Sequence, residues 1–313
     1  MKLLLSKPRG FCAGVVRAIE TVERALQAWG APIYVKHQIV HNRHVVEDLE
    51  KKGAIFIEDL DEVPEGARII YSAHGIPPSV RDHAKRRNLI EIDASCGLVI
   101  RVHSAAKRYA KKGYHILLIG HKNHVEVVGT AGEAPEDTTI IESVKDVEKL
   151  SFPPEQRLFY TTQTTLSLDD VKEITEAIKK KYPLIETLPS SSICYATTNR
   201  QLALREITHT VDLVLVVGDP TSSNSNRLCE VARKRGVPGY LINSPDEIDP
   251  SWLEGVKAIG LTAGASTPES VVQKCIEHLR DLGVTETEEV EYTEENVFFE
   301  LPKEVLAISS QGL

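Results

Sequence analysis

Three times in this chain an extended apolar segment hands one cysteine directly to a helix. The stretches are "KPRGFCAGVVRAIETVERALQAWG" (7–30), "LIEIDASCGLVIRVHSAAKRYAKKG" (89–113) and "LIETLPSSSICYATTNRQLALREITHTV" (184–211). Cys12, Cys96 and Cys194 are therefore spaced by 84 (96 − 12) and 98 (194 − 96) residues, too long a period for a solenoid. After Cys12 come a helix (14–29), a strand reaching His37–His41, a second helix and the strand "AIFIE". The acidic turn "DLDEVPEGA", the strand "RIIYSAHG" and a helix near 77–88 follow, and then the strand that delivers Cys96. The order repeats after Cys96, with "HILLIG", "TTIIES", the connector "VKDVEKL", "RLFYTTQTT" and a helix over 167–181. It runs a third time after Cys194, with "DLVLVV", "GYLINS", "VKAIGLTAGAS" and a helix over 268–281.

Short apolar β-rich runs alternating with helices specify parallel sheet. The expected class is α/β, with three small parallel-sheet domains in a pseudo-threefold trefoil: residues 1–95, 96–193 and 194–281. An acidic tail, 282–313, packs on this body, with one strand at Val297–Glu300.

Charge and cysteine use narrow the function classes. The 313 residues carry 37 basic and 45 acidic side chains, a net charge of −8, which argues against a nucleic-acid or anionic-membrane surface. No apolar run has the length of a membrane span. The N-terminus lacks the basic and apolar regions of a secretory leader, so none is expected. Five widely spaced cysteines do not make a disulfide framework, and a cytoplasmic, reducing setting fits them.

Taken alone, Cys12 is more often a small buried residue than a reactive thiolate. Three cysteines at one point of a repeat change that balance. Ligands of parallel α/β sheets bind beyond the carboxyl ends of the strands, and helix N-termini favour thiolates. Three domains facing one axis would bring Cys12, Cys96 and Cys194 together. With no fourth equivalent, the set suits an iron–sulfur cluster with one iron open, and no tight ferredoxin-type Cys-x₂-Cys pair is present. Cys229 and Cys275 lie inside helical stretches and read as core.

Two more positions recur in register. His41, His124 and Ser222 lie 29 (41 − 12), 28 (124 − 96) and 28 (222 − 194) residues after their cysteines, with Ser223 and Asn224 beside the last. His74, Thr164 and Ser266 come later in each repeat, again at strand ends. Singly each histidine reads as a satisfied turn residue. Together with the small-residue loops "TSSNSN" and "TAGAS" they form a set of donors for phosphate oxygens. Glu126, two residues past His124, is either an ordinary first-turn carboxylate or, inside an anion site, a proton donor.

These residues carry a resemblance. "KPRGFCAG", "HNRHVV", "SAHG", "TQTTLS", "ICYATTNRQ", "SSNSNRL", "TAGAS" and "FELPKE" span almost the whole chain, which resembles the LytB/IspH family of 4-hydroxy-3-methylbut-2-enyl diphosphate reductases. The resemblance implies a trefoil around one central [4Fe-4S] cluster, with Cys12, Cys96 and Cys194 as its three ligands and one iron open. By the same resemblance His41, His74, His124, Ser222, Ser223, Asn224 and Ser266 hold the diphosphate. Thr164 lies near the substrate hydroxyl, and Glu126 delivers the proton. It further implies reductive dehydroxylation to isopentenyl and dimethylallyl diphosphate, fed by a one-electron donor such as ferredoxin or flavodoxin. Two departures stand out: the family commonly has proline where this chain has Gly97 and Val125. Proline at a helix start mainly fixes backbone angle, so loop rigidity is affected rather than ligand chemistry. Two rival readings are a hydratase or dehydratase that uses an open-iron cluster without reductant, and a non-enzymatic scaffold around a three-cysteine zinc site.

Overall fold

The structure is a computed structural model that describes residues 1–309, so residues 310–313 of the expected tail lie outside the described residues. β1 (Lys2–Lys7) opens the chain. The first repeat then runs α1 (Ala13–Trp29), β2 (Ile33–Lys36), α2 (Arg43–Lys51), β3 (Ala54–Ile57), β4 (Arg68–Tyr71), α3 (Pro78–Arg86) and β5 (Ile90–Asp93). The second runs α4 (Gly97–Ala110), β6 (His115–Ile119), α5 (Val125–Ala131), β7 (Thr138–Ile141), α6 (Val144–Lys149), β8 (Leu158–Thr162), α7 (Leu168–Lys181) and β9 (Glu186–Thr187). The third runs α8 (Tyr195–Ile207), β10 (Leu213–Val217), α9 (Ser223–Lys234), β11 (Gly239–Ile242), β12 (Ala258–Ala263) and α10 (Glu269–Asp281). β13 (Glu286–Glu291) and α11 (Lys303–Ser309) end it.

The strands form three parallel sheets, ordered β3-β2-β4-β5, β7-β6-β8-β9 and β11-β10-β12-β1-β13. The α/β class with three parallel sheets is as expected. All three sheets share one order, and in each the fourth strand delivers a cysteine. In the third sheet that strand is β1, paired to β12 with Leu4 opposite Gly260. The first residues of the chain thus complete the last repeat. The inner strand β10, Leu-Val-Leu-Val-Val, is buried along its whole length, as a strand covered on both faces must be.

Two expectations about local structure need correction. The tail strand is β13 at Glu286–Glu291, not Val297–Glu300, which has no regular structure. β13 is almost wholly acidic, yet it pairs with β1 because Lys2 meets Glu286 and Glu288, Lys7 meets Glu289 and Glu291, and Arg9 meets Glu289. The connector "VKDVEKL" contains a helix, α6. Ser143 and Asp146 form a capping box that supplies its start.

The chain divides into two compact units. The first comprises Met1–Val15, His41–Glu47 and Tyr195–Phe298 and holds the five-stranded sheet. The second comprises Val16–Val40, Asp48–Cys194 and the chain from Phe299, and it holds both four-stranded sheets. Among the described residues no helix is long and apolar enough to cross a membrane.

Candidate active site

One hydrogen bond occurs three times and sets the position of each cysteine. The Cys12 amide donates to the Ala265 carbonyl (3.1 Å), the Cys96 amide to Ala73 (3.0 Å) and the Cys194 amide to Thr164 (3.0 Å). Each acceptor lies at or beside the late strand-end residue of its repeat: Ser266, His74 and Thr164. Every cysteine loop is therefore tied by its backbone to a residue of the expected anion set or to its immediate chain neighbour. All three cysteines are half-buried, whereas Cys229 and Cys275 are fully buried on α9 and α10. Burial pushes the thiols of Cys229 and Cys275 up to about 12, so they persist as neutral core residues and poor ligands. The three loop cysteines have the exposure and the helix-N-terminal setting that thiolate ligands need, and a cluster fits this donor set.

In the first unit, the residues around Cys12 form a connected chain. The Asn224 side-chain carbonyl accepts from the Ala265 amide (2.9 Å), and its amide group donates to Thr197 Oγ1 (3.3 Å). Ser266 Oγ donates to the His41 carbonyl (2.9 Å), which places the His41 turn beside the "TAGAS" loop. The Arg43 amide donates to Asp219 (3.0 Å), drawing the same turn to the loop before α9. Burial alone would raise Asp219, but hydrogen bonds from Thr221 and the Arg43 amide outweigh it and hold the carboxyl below its usual range. Ser222 is the N-cap of α9 and accepts from the Ser225 amide (3.3 Å), while Ser223 is half-buried at the first helical position. Cys12, His41, Ser222, Ser223, Asn224 and Ser266 thus belong to one linked set of loops.

The second unit holds Glu126, His124 and His74. Glu126 lies in the first turn of α5 but is only 2% exposed. Its carboxylate accepts from the Thr164 amide (2.7 Å) on Oε1 and from Thr164 Oγ1 (2.9 Å) on Oε2. Burial pushes Glu126 up to about 7, against the lowering effect of both Thr164 hydrogen bonds. His124 is the N-cap of α5, and its Nδ1 accepts from the Glu126 amide (3.1 Å). That bond puts the proton of a neutral His124 on Nε2. The His74 ring lies edge-on to His124, with centroids 6.2 Å apart, and its Nδ1 pairs with Ser72 Oγ at 3.1 Å. Cys96, His74, His124, Glu126, Thr164 and Cys194 are therefore linked residue to residue.

The unusual Gly97 has a local cause. A Cβ there would lie 3.0 Å from the Phe299 ring, which packs on the start of α4. A proline ring at 97 would have to displace it. At Val125, the His124 side chain caps α5 instead of relying on a rigid proline. Residues that sequence reasoning passed over include Asp219, Thr197 and two arginines. Arg17 donates to the carbonyls of Ser95 (2.8 Å), Asp93 (3.2 Å) and Glu300 (2.6 Å). Burial disfavours its charge, which Asp93 and Cys96 partly restore. Arg200 is wholly buried. Each arginine sits on a helix that also carries apolar residues, and only its placement inside a quoted motif, "ICYATTNRQ" for Arg200, could have flagged it.

A family model described as LytB protein matches residues 3–280. The chain is 71% identical over 306 residues, 98% of either chain, to the 4-hydroxy-3-methylbut-2-enyl diphosphate reductase of Protochlamydia amoebophila. It is 63% identical to that of Chlamydia pneumoniae over 97% of this chain and 98% of the relative. A solved structure described as the E-1-hydroxy-2-methyl-but-2-enyl-4-diphosphate reductase from Plasmodium falciparum superposes with a TM-score of 0.97 at 51% identity, covering 99% of this chain and 98% of that one. A second, described as the terminal enzyme of the non-mevalonate pathway, gives a TM-score of 0.64 at 30% identity, covering 90% and 99%.

Proposed function

The chain belongs to the LytB family, and from that premise we propose that it reductively removes the C4 hydroxyl of 4-hydroxy-3-methylbut-2-enyl diphosphate. The products are isopentenyl and dimethylallyl diphosphate, and the step is the last of the non-mevalonate isoprenoid route. Cys12, Cys96 and Cys194, one from each of the segments 1–95, 96–193 and 194–281, hold a [4Fe-4S] cluster with one open iron. When bound, the cluster supplies electrons singly and a Lewis-acidic iron for the leaving oxygen. The electrons come from a one-electron donor of the ferredoxin or flavodoxin type, in a cytoplasmic setting.

The observation that carries this reading is the Glu126 carboxyl, buried and fixed at both oxygens by Thr164. A general acid works best with a pKa near the operating pH, and a group at about 7 is half protonated there. Loss of a hydroxyl as water needs one proton at the leaving oxygen. Thr164 Oγ1 donates to the Glu126 carboxylate; when Glu126 is protonated the hydroxyl can turn to accept that proton while giving its own onward. Substrate binding rests on a set of hydrogen-bond donors: His124 through Nε2, His41, His74, Ser222, Ser223, the Asn224 amide and Ser266. Helix N-terminal amides of α9 add to them.

The test is anaerobically purified protein assayed for iron, acid-labile sulfide and reductant-dependent turnover of the diphosphate substrate. Iron and sulfide with both alkene products support the assignment. Product formed without reductant would favour the hydratase reading, and a colourless zinc protein without sulfide would return the chain to the scaffold reading.

A further inference from the structure

Arg200, on α8 and wholly buried, is the largest side chain removed from solvent, and no step of the proposed reaction uses it. Its Nη2 donates to the Gly10 carbonyl (2.8 Å). Its Nη1 donates to the Ala196 carbonyl (3.0 Å) and to both oxygens of Glu295 (3.1 and 3.2 Å). Glu295, with its side chain 14% exposed, also accepts from the Asn199 amide group (3.0 Å). It comes from the tail after β13, more than ninety positions along the chain.

These contacts converge on the Cys12 loop. Gly10 has a left-handed backbone, φ 68, which a side chain would strain. A Cβ there would also stand 3.3 Å from the Thr267 carbonyl. The Gly10 carbonyl is held by Arg200, the Cys12 amide by Ala265, and the Ala13 amide donates to the Tyr195 hydroxyl (3.2 Å). Tyr195 and Arg200 both belong to α8, the helix that follows Cys194. A buried ion pair is a costly way to fill space, and an apolar side chain of similar volume commonly serves stability as well or better. The planar fork of arginine, reaching a carbonyl on one side and a carboxylate on the other, does what an apolar residue cannot.

We propose that Arg200 and Glu295 are a positioning pair for the Cys12 loop, and that their opposed charges set the reduction potential of the group Cys12 helps to hold. The proposal rests on Cys12 being a ligand of the cluster. Within it, Glu295 makes the C-terminal tail part of the metal site's support.

The test is a potentiometric titration of the anaerobic holoprotein followed by electron paramagnetic resonance, with iron retention measured beside it. Glu295→Gln leaves the Arg200 charge uncompensated, and the midpoint moves to a more positive potential. Arg200→Gln leaves the carboxylate, and the midpoint moves the other way. Arg200→Lys keeps the charge but loses the fork, so the potential stays near that of the parent while the resonance line shape changes and iron is lost faster in air. Opposite shifts in the two Gln variants are a result that simple loosening of the fold does not give. Shifts of the same sign, or none, with parental line shape and iron retention would overturn the proposal. Should Arg200→Gln fail to accumulate as folded protein, Glu295→Gln, at the partly exposed end of the pair, decides alone by the sign of its shift. Full iron content in Cys12→Ser would overturn the ligand assignment itself, a separate result from parental potentials in the Arg200 and Glu295 variants.

Discussion

At matched points of the repeat the first unit presents His41, Ser222, Asn224 and Ser266, while the second presents His124, Glu126, His74 and Thr164. The first four strands of each sheet beneath them have the same order and pair in parallel. The residues at the strand ends differ. Hydroxyls and a carboxamide bind an anion without titrating near neutral pH, whereas a buried carboxyl pushed up to about 7 gains and loses a proton there. In the proposed function both units supply donors to the substrate, but the buried carboxyl suited to giving up a proton, Glu126, lies in the second alone. The fold repeats and the chemistry does not.

The comparison can be broken first at what both units share. Cys12→Ser, Cys96→Ser or Cys194→Ser is expected to abolish turnover and most bound iron, measured on anaerobically purified protein. Cys229→Ala and Cys275→Ala are expected to keep their iron, because those thiols are core residues whose charge burial suppresses. Iron loss in Cys229→Ala would contradict the division between loop and helix cysteines.

The next effect belongs to the second unit alone. Glu126→Gln keeps size and hydrogen-bonding reach but has no proton to give. Turnover should fall by about 10² or more, with substrate affinity and the cluster signal retained. A first-turn carboxylate acting only on the helix dipole is worth about 0.3–1 kcal/mol, so a mild effect would return Glu126 to that role.

Asn224→Ala is the matching change in the first unit. It removes the brace between the Ala265 amide and Thr197 as well as a proposed donor to substrate. A hydrogen bond to a charged group is worth about 1.5–3 kcal/mol, so diphosphate affinity by calorimetry should drop roughly ten- to a hundred-fold. Activity at saturating substrate should change far less than in Glu126→Gln. Equal losses in turnover for the two would erase the distinction between the units.

The smallest effect is on stability. Burial raises Glu126 from 4.5 to about 7 in the folded state, so its protonated form is favoured there. The stabilisation is full below the unfolded value of 4.5 and is lost as pH rises through about 7. Glu126→Gln, which carries no charge, should therefore exceed the parent in denaturant unfolding at pH 8 by about 1–3 kcal/mol. At pH 4.5 the two should match. A constant difference across that range would show that the carboxyl is not charged at a cost.

Much of this architecture is legible in the sequence because it repeats: the cysteines, their strands and the register of His41, His124 and Ser222 follow from spacing. What the spacing does not carry is set by contacts between distant residues. The tail pattern alone puts a strand at 297–300 rather than at β13, whose pairing depends on Lys2, Lys7 and Arg9, more than two hundred and fifty positions away. The burial of Glu126 depends on Thr164, which a first-turn pattern cannot reveal. Gly97 reads in sequence as a loosened loop, whereas the Phe299 ring packs against it. Arg200 reads as an ordinary helix residue until the Gly10 carbonyl and Glu295 are seen at its two ends.

The most direct test of this division is a titration of the Glu126 carboxyl itself. Difference infrared spectra between the parent and Glu126→Gln, taken across pH in the substrate-free protein, isolate its protonated carbonyl band. The account predicts that the band is present below neutrality and disappears with a midpoint near 7. A midpoint in the ordinary carboxylate range, near 4.5, would mean that Glu126 is charged at working pH and would remove the proton donor from the second unit.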